Sequence, residues 1–170
     1  MNCMAATTKT LDLGCGAIPR NPFKCSATYG IDIREDVGNN IKSSDLTVEK
    51  IPYPDDFFNA VTAFDFIEHI PRIIYNPGRR FCFVELMNEI YRVLKPGGVF
   101  LSYTPAFPRE EAWRDPTHVN IITVETFPLY FDNKNRMAVM YGFRGAFEVV
   151  LQKWADNKVN LVSVLKKVQI

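Results

Sequence analysis

Histidine occurs only twice in the 170 residues, at His69 and His118, so imidazole chemistry has few places to happen. His118 stands in Trp113-Arg114-Asp115-Pro116-Thr117-His118, a run rich in aromatic and charged residues. A neutral imidazole with an ordinary pKa of about 6.5 takes a proton from a hydroxyl at cellular pH, and a positioned base contributes about 10²- to 10⁴-fold in rate. His118 is therefore the catalytic candidate, with Arg114 or Asp115 to orient a hydroxyl substrate or the ring. The competing reading has Asp115 open a turn and His118 bond a backbone carbonyl. His69, within Glu68-His69-Ile70, reads as a structural or capping residue. Cys15 has no neighbouring base to make it a nucleophile. Cys3, Cys15, Cys25 and Cys82 show no paired spacing, so neither a metal nor a disulfide framework is expected.

A second group of residues points to binding. Gly14 and Gly16 directly follow an apolar run, where missing side chains allow a tight turn and close approach of a ligand to backbone N–H groups. Eighteen residues after Gly14, Asp32 closes the next apolar run, the position from which a carboxylate accepts two hydrogen bonds from ribose hydroxyls. The alternative for Asp32 is a cap on the following turn. A nicotinamide dinucleotide is disfavoured, because the third glycine of its fingerprint is replaced by Pro19.

The elements that must hold these residues alternate short apolar runs with helical patterns, the rhythm of an α/β sheet. Strands are expected at 10–13, 29–33, 40–45, 59–64 and 99–103. Pro19 and Pro22 leave room for no more than a short or broken helix between the first two. From Phe81 to Leu94 the residues Val84, Met87, Ile90, Tyr91 and Leu94 fall on one helical face, and Lys95-Pro96-Gly97-Gly98 ends that helix. A further helix is expected over 123–131, capped by Thr123 or Thr126. The runs 147–154 and 158–165 flank Ala155-Asp156-Asn157 as a hairpin. Phe57, Phe58 and Trp154 are expected in the core, and Lys166 and Lys167 in solvent. Arg72, Arg79 and Arg80 read as solvated loop residues.

Composition bounds the rest. Hydrophobic residues make up 47% of the chain and charged residues 23%, enough to build one packed domain over 1–170. A formal charge of +1 argues against a strongly basic nucleic-acid surface. No apolar run is long enough to cross a bilayer and the first ten residues lack the pattern of a signal peptide, so a cytoplasmic protein without membrane contact is expected.

LDLGCG, YGIDIRE, Asp45-Leu46 leading through IPYPDDFFNAV to FDFIEHI, and EIYRVLKPGGVFLSYTP occur in one order across roughly 8–105. In order and spacing the chain resembles the class I S-adenosylmethionine-dependent methyltransferases. That resemblance implies a Rossmann-like seven-stranded α/β sheet, mostly parallel with an antiparallel terminal hairpin and helices on both faces. It implies S-adenosylmethionine as cofactor and S-adenosylhomocysteine as product. It also implies a donor site in which Asp12, Gly14, Cys15 and Gly16 lie under the methionine end and Asp32 meets the ribose, with Ile33 beside it among the donor-binding residues. Asp45 and Leu46 would meet the adenine, while Phe64 and Asp65 would line the other side. Members of the family usually carry helices ahead of the first strand; here about seven residues precede it, so only a minimal N-terminal lid is expected.

The acceptor follows by elimination and by a shorter likeness. DNA amino-group methyltransferases place an Asn or Asp, two prolines and an aromatic residue after the fourth strand, where this chain has Asp65-Phe66-Ile67-Glu68; cytosine-ring enzymes use a Pro-Cys pair that the chain lacks. Asp115-Pro116-Thr117-His118 resembles a segment in methyltransferases that tailor glycans and small metabolites. A small-molecule or glycan-like acceptor is the leading expectation, with oxygen attack slightly preferred over nitrogen and nucleic acid disfavoured. The alternative is a catalytically silent, donor-binding subunit of a partner; a homo-oligomer is equally open.

Overall fold

The computed structural model describes residues 7–170. The expected N-terminal lid, and Cys3 with it, lies through residue 6 outside the described residues. The strands are β1 (Lys9–Leu13), β2 (Ala27–Asp32), β3 (Ile41–Ser43), β4 (Phe58–Phe64), β5 (Leu94–Pro105), β6 (Phe147–Trp154) and β7 (Asn160–Lys167). They form one sheet in the order β3-β2-β1-β4-β5-β7-β6. The first five are parallel, and β7 runs antiparallel to both β5 and β6.

Central position explains composition. β1 is paired on both sides and Thr10–Leu13 are all buried, which suits an apolar run; its polar exceptions, Thr10 and Asp12, are fully buried. The strand order reverses between β1 and β4, and the crevice outside the carboxyl ends of strands at such a point is where open α/β sheets take their ligands.

The helix α1 (Cys82–Val93) connects β4 to β5 and packs on one face of the sheet. It buries Phe83, Leu86, Met87, Ile90 and Val93, while Val84 and Tyr91 are only partly covered, so its apolar face is rotated from the expected one. Phe83 meets Phe131 edge to face at 5.5 Å, and Tyr91 meets Phe147 in the same way at 5.5 Å. The first contact fastens the 106–146 connection to the same face, and the second ties α1 to the start of β6. That connection holds α2 (Glu111–Arg114), α3 (Thr126–Tyr130) and a 3₁₀ turn over Met137–Tyr141. α3 is shorter than the expected 123–131 helix because Thr123 forms its own turn: its N–H donates to Thr126 Oγ1 at 2.9 Å and its hydroxyl oxygen accepts from Glu125 N–H at 3.2 Å.

Helices on both faces are realised unevenly. The β1–β2 and β2–β3 crossovers step the opposite way across the sheet from β4–β5, so right-handed connection puts them on the opposite face. They contain no α-helix, only a 3₁₀ turn over Val37–Asn39, as the prolines at 19 and 22 foretell. The chain passes from α1 directly into β5, and Gly98 within that strand leaves no room for a side chain: a Cβ there would stand 2.9 Å from the Lys95 carbonyl oxygen and 3.1 Å from that of Asn59.

Lys167 departs from expectation. Its ammonium donates to Asp56 Oδ1 at 2.7 Å and to the Leu94 carbonyl at 2.6 Å, 4.6 Å from the centre of the Tyr91 ring, with 9% of the side chain exposed. Phe58 is fully buried, whereas Phe57 and Trp154 pack only partly against the core.

Candidate active site

The loop after β1 is built by hydrogen bonds that the sequence hides. Asp12 Oδ1 accepts from the Thr62 hydroxyl of β4 at 2.6 Å and Oδ2 from the Arg20 N–H at 2.8 Å. Asp12 therefore braces the loop from inside the sheet, and burial holds its carboxyl above the ordinary range against the pull of the Thr62 bond. Gly14 and Gly16 have φ of 63° and 62°, the left-handed region glycine enters without a Cβ penalty. Between them the Cys15 N–H donates to the Ile31 carbonyl at 3.1 Å, and its thiol is buried. Burial first, then the Asp12 and Asp32 carboxylates, push that thiol up to about 11.

Asp32 closes the loop from β2. Its Oδ2 accepts from Gly16 N–H at 2.9 Å, while Oδ1 has a long 3.4 Å bond from Arg34 N–H and lies 3.8 Å from the exposed Arg34 guanidinium Nε. Beside it Ile33 is 75% exposed, an apolar side chain without a protein partner of matching cover. Asp45 caps a turn: its N–H donates to Glu49 at 2.9 Å and its Oδ1 accepts from Thr47 N–H at 2.9 Å, leaving Oδ2 exposed. Leu46 buries its side chain in the core, so it offers a cleft its backbone rather than a wall.

Across the crevice, Phe64 ends β4 with its ring 5.7 Å from Tyr103 and the Arg20 guanidinium 4.8 Å above it. Asp65 takes the left-handed conformation, φ 48°, and its Oδ1 accepts from Asn160 Nδ2 at 2.7 Å. This turn sends Phe66 back over the glycine loop, where a Cβ on Gly14 would stand 2.8 Å from Phe66 Cγ. Nothing lies within 4 Å of the corresponding position on Gly16. The residues present fit an adenosyl sulfonium donor: an open glycine turn, a carboxylate with one oxygen held only by long contacts, an uncovered apolar side chain beside it and a cation at the far end.

Beyond β4 lies a cluster that the sequence does not announce. Glu68 is 1% exposed, and its Oε2 accepts from the Thr104 hydroxyl of β5 at 2.7 Å. Burial pushes its carboxyl up to about 7 despite that bond. The Glu68 carbonyl accepts from both Val119 and Asn120 N–H, at 2.9 and 3.0 Å, pinning the 115–120 loop against the β4 exit. His118 is thereby brought to His69, ring centres 4.9 Å apart. The competing reading holds in part: Asp115 does open a turn, its Oδ1 accepting from Thr117 N–H at 2.8 Å and its carbonyl from His118 N–H at 3.1 Å, and His69 meets that turn at Thr117 Oγ1, 3.0 Å away, but His118 Nδ1 is buried without a partner rather than bonded to a carbonyl. Arg72 is no free loop residue, since its Nε donates to Asn120 Oδ1 at 2.8 Å and its Nη2 to the Ile121 carbonyl. Arg72 also borders an apolar cavity of about 280 Å³ walled by Phe81, Phe83, Tyr130 and Tyr141.

A sheet of this order with a glycine turn and an acidic strand end at its switch point defines the class I methyltransferase architecture. A methyltransferase-domain family model matches residues 11–102, more than half of the chain, and the chain belongs to that family: it is an S-adenosylmethionine-dependent methyltransferase. Solved structures agree in fold. The chain is similar to the (4+2)-cyclase SpnF at 16% identity and a TM-score of 0.62, covering 97% of this chain and 76% of that one. It is similar to an S-adenosylmethionine-dependent methyltransferase of Archaeoglobus fulgidus at 19% identity and a TM-score of 0.60, covering 95% and 87%. A methyltransferase described as putative, in complex with the Haloferax volcanii Trm112 methyltransferase activator, matches at 13% identity and 0.61, covering 96% and 84%. A search of curated protein sequences finds no match. Among the described residues no helix is long and apolar enough to cross a membrane.

Proposed function

We propose that the chain methylates an oxygen of a small-molecule or glycan-like acceptor. The observation that carries this reading is the Glu68, His69 and His118 cluster at the carboxyl ends of β4 and β5, next to the crevice where the donor belongs. Methyl transfer is an in-line displacement: an acceptor lone pair forms the new bond to the methyl carbon as the carbon–sulfur pair returns to sulfur and neutralises it. Holding the two in near-attack geometry supplies much of the acceleration. The protein adds help where the acceptor hydroxyl must lose a proton, and a site with two imidazoles and a buried carboxylate is equipped for that. In this reading Gly16 and Arg20 hold the methionine end of the donor, Asp32 the ribose and Ile33 one face of the adenine. The apolar cavity beside Arg72 receives the body of the acceptor.

Transfer of labelled methyl groups to fractionated metabolite, sugar, protein and nucleic-acid pools tests this. The expected result is label in an alkali-stable ether of a metabolite or sugar. With that acceptor, His118→Ala and His118→Gln should each slow transfer at least about tenfold with donor affinity nearly unchanged. Label confined to nucleic acid, or parent rates in both variants, contradicts it.

A second reading, a donor-binding subunit completed by a partner, draws support from the neighbour solved with an activator. Co-purification of a stoichiometric partner, with transfer only in its presence, is its signature.

A further inference from the structure

Glu68, His69 and His118 each offer a ligating atom, and these three atoms lie within 4.8 Å of one another. Each is prepared in a different way. The Glu68 carboxylate is enclosed, its Oε2 receives the Thr104 hydroxyl, and among the described residues no lysine or arginine pairs with it. A buried carboxylate ordinarily has a cation beside it. The His118 side chain is nine-tenths buried, with its Nδ1 lacking any hydrogen-bond partner and its Nε2 3.9 Å from Asp115 Oδ2. A buried ring nitrogen left open in this way is waiting for a ligand or a proton partner.

The state of His69 follows from its neighbours. The Thr117 hydroxyl donates to Asp115 Oδ1 at 2.7 Å, which commits its only proton. Thr117 Oγ1 therefore accepts at 3.0 Å from His69 Nδ1, which must carry the hydrogen. The neutral ring then presents the Nε2 lone pair. Metal-bound histidines are commonly fixed through their second nitrogen by a carboxylate or carbonyl, and here the carboxylate of Asp115 acts through Thr117. The scaffold is braced as well: Asn120 Nδ2 donates to the Ile67 carbonyl at 3.0 Å, and the Glu68 carbonyl holds the backbone that carries His118.

We propose that Glu68, His69 and His118 form a binding site for a divalent first-row metal ion, with zinc the first choice. Two imidazoles and one carboxylate are a familiar catalytic zinc set that leaves a position open. Ligand atoms around such an ion sit about 3 to 3.5 Å apart, so the three ligating groups draw together on binding. The ion deepens the proposed function. An acceptor hydroxyl bound at the open position loses its proton to water more readily, and the oxygen lone pair so exposed attacks the methyl carbon. In that arrangement His118 is a ligand, and the metal takes over the acidifying role.

Metal binding is testable without knowing the acceptor. Tag-free protein stripped with a chelator and equilibrated with zinc sulfate should retain about one equivalent by elemental analysis. Cobalt(II) should give visible absorption bands of a low-coordinate site. Glu68→Gln, which keeps the Thr104 bond, and the surface variant His69→Ala should each weaken zinc binding at least about tenfold, with circular dichroism unchanged. Asp32→Ala should retain the metal while weakening donor binding, so failure of the metal site and failure of the donor site are separately visible. Less than a tenth of an equivalent in the parent protein overturns the proposal. So does parent affinity in both ligand variants.

Discussion

The ring of Phe66 rests on Gly14: a Cβ added to the glycine would stand 2.8 Å from Phe66 Cγ and 3.1 Å from its Cβ. Gly14 is thus held to glycine by packing as well as by its φ of 63°, whereas Gly16 is held by φ alone and faces open space. Gly16→Ala should cost about 1 to 2 kcal/mol of stability, the left-handed penalty, and its methyl should intrude where the donor lies and sharply weaken binding. Gly14→Ala should cost more, since Phe66 must also move. Urea titration and calorimetry with S-adenosylmethionine separate the two; parent affinity in a folded Gly16→Ala would remove this loop from the donor site.

The buried Cys15 thiol stays protonated up to a pH of about 11, because burial and two nearby carboxylates disfavour its anion. At pH 8 the nucleophilic thiolate is therefore scarce. Iodoacetamide should alkylate the partly exposed Cys25 well before Cys15 in the folded protein, and rates should converge in urea. Peptide mass mapping over time reads this directly. Alkylation of Cys15 as fast as Cys25 without denaturant would contradict the enclosed loop.

Lys167 should matter where Lys166 does not. Removing the Lys167 ammonium leaves the Leu94 carbonyl without its bond and Asp56 without its partner. Lys167→Ala should lower stability by about 1 to 3 kcal/mol. Lys166→Ala, at an exposed position, should stay within about 0.5 kcal/mol. Equal urea midpoints for the two variants would contradict this assignment.

The sheet and the glycine turn at its switch point were legible because they depend on short-range signals. Glycines after a strand, an acidic residue closing the next one and a polar turn between two apolar runs are local patterns. The Glu68, His69 and His118 cluster was not, because it arises from contacts between residues about fifty positions apart. Val119 and Asn120 reach the Glu68 carbonyl only after β4 and β5 have paired, and nothing local in Glu68-His69 marks its carboxylate as enclosed. Two histidines following adjacent strands at their carboxyl ends were the available signal. Phe66 was hidden for a related reason: its place over Gly14 depends on the left-handed turn at Asp65, which Asn160 of the distant β7 steadies. Asp12 was legible as a motif residue but not as a brace, since its partners Thr62 and Arg20 become visible only in the fold.

The donor assignment is tested most directly by calorimetric titration of S-adenosylhomocysteine into the parent protein and Asp32→Ala. Asp32 Oδ1 is held only by long contacts to Arg34 and has capacity to accept from ribose, and charge-assisted bonds of that kind carry about 1 to 3 kcal/mol. The expected result is saturable one-to-one binding by the parent and a loss of that size in a variant that remains folded. No binding by the folded parent, or undiminished affinity in Asp32→Ala, would contradict a donor site at the β1–β4 crevice.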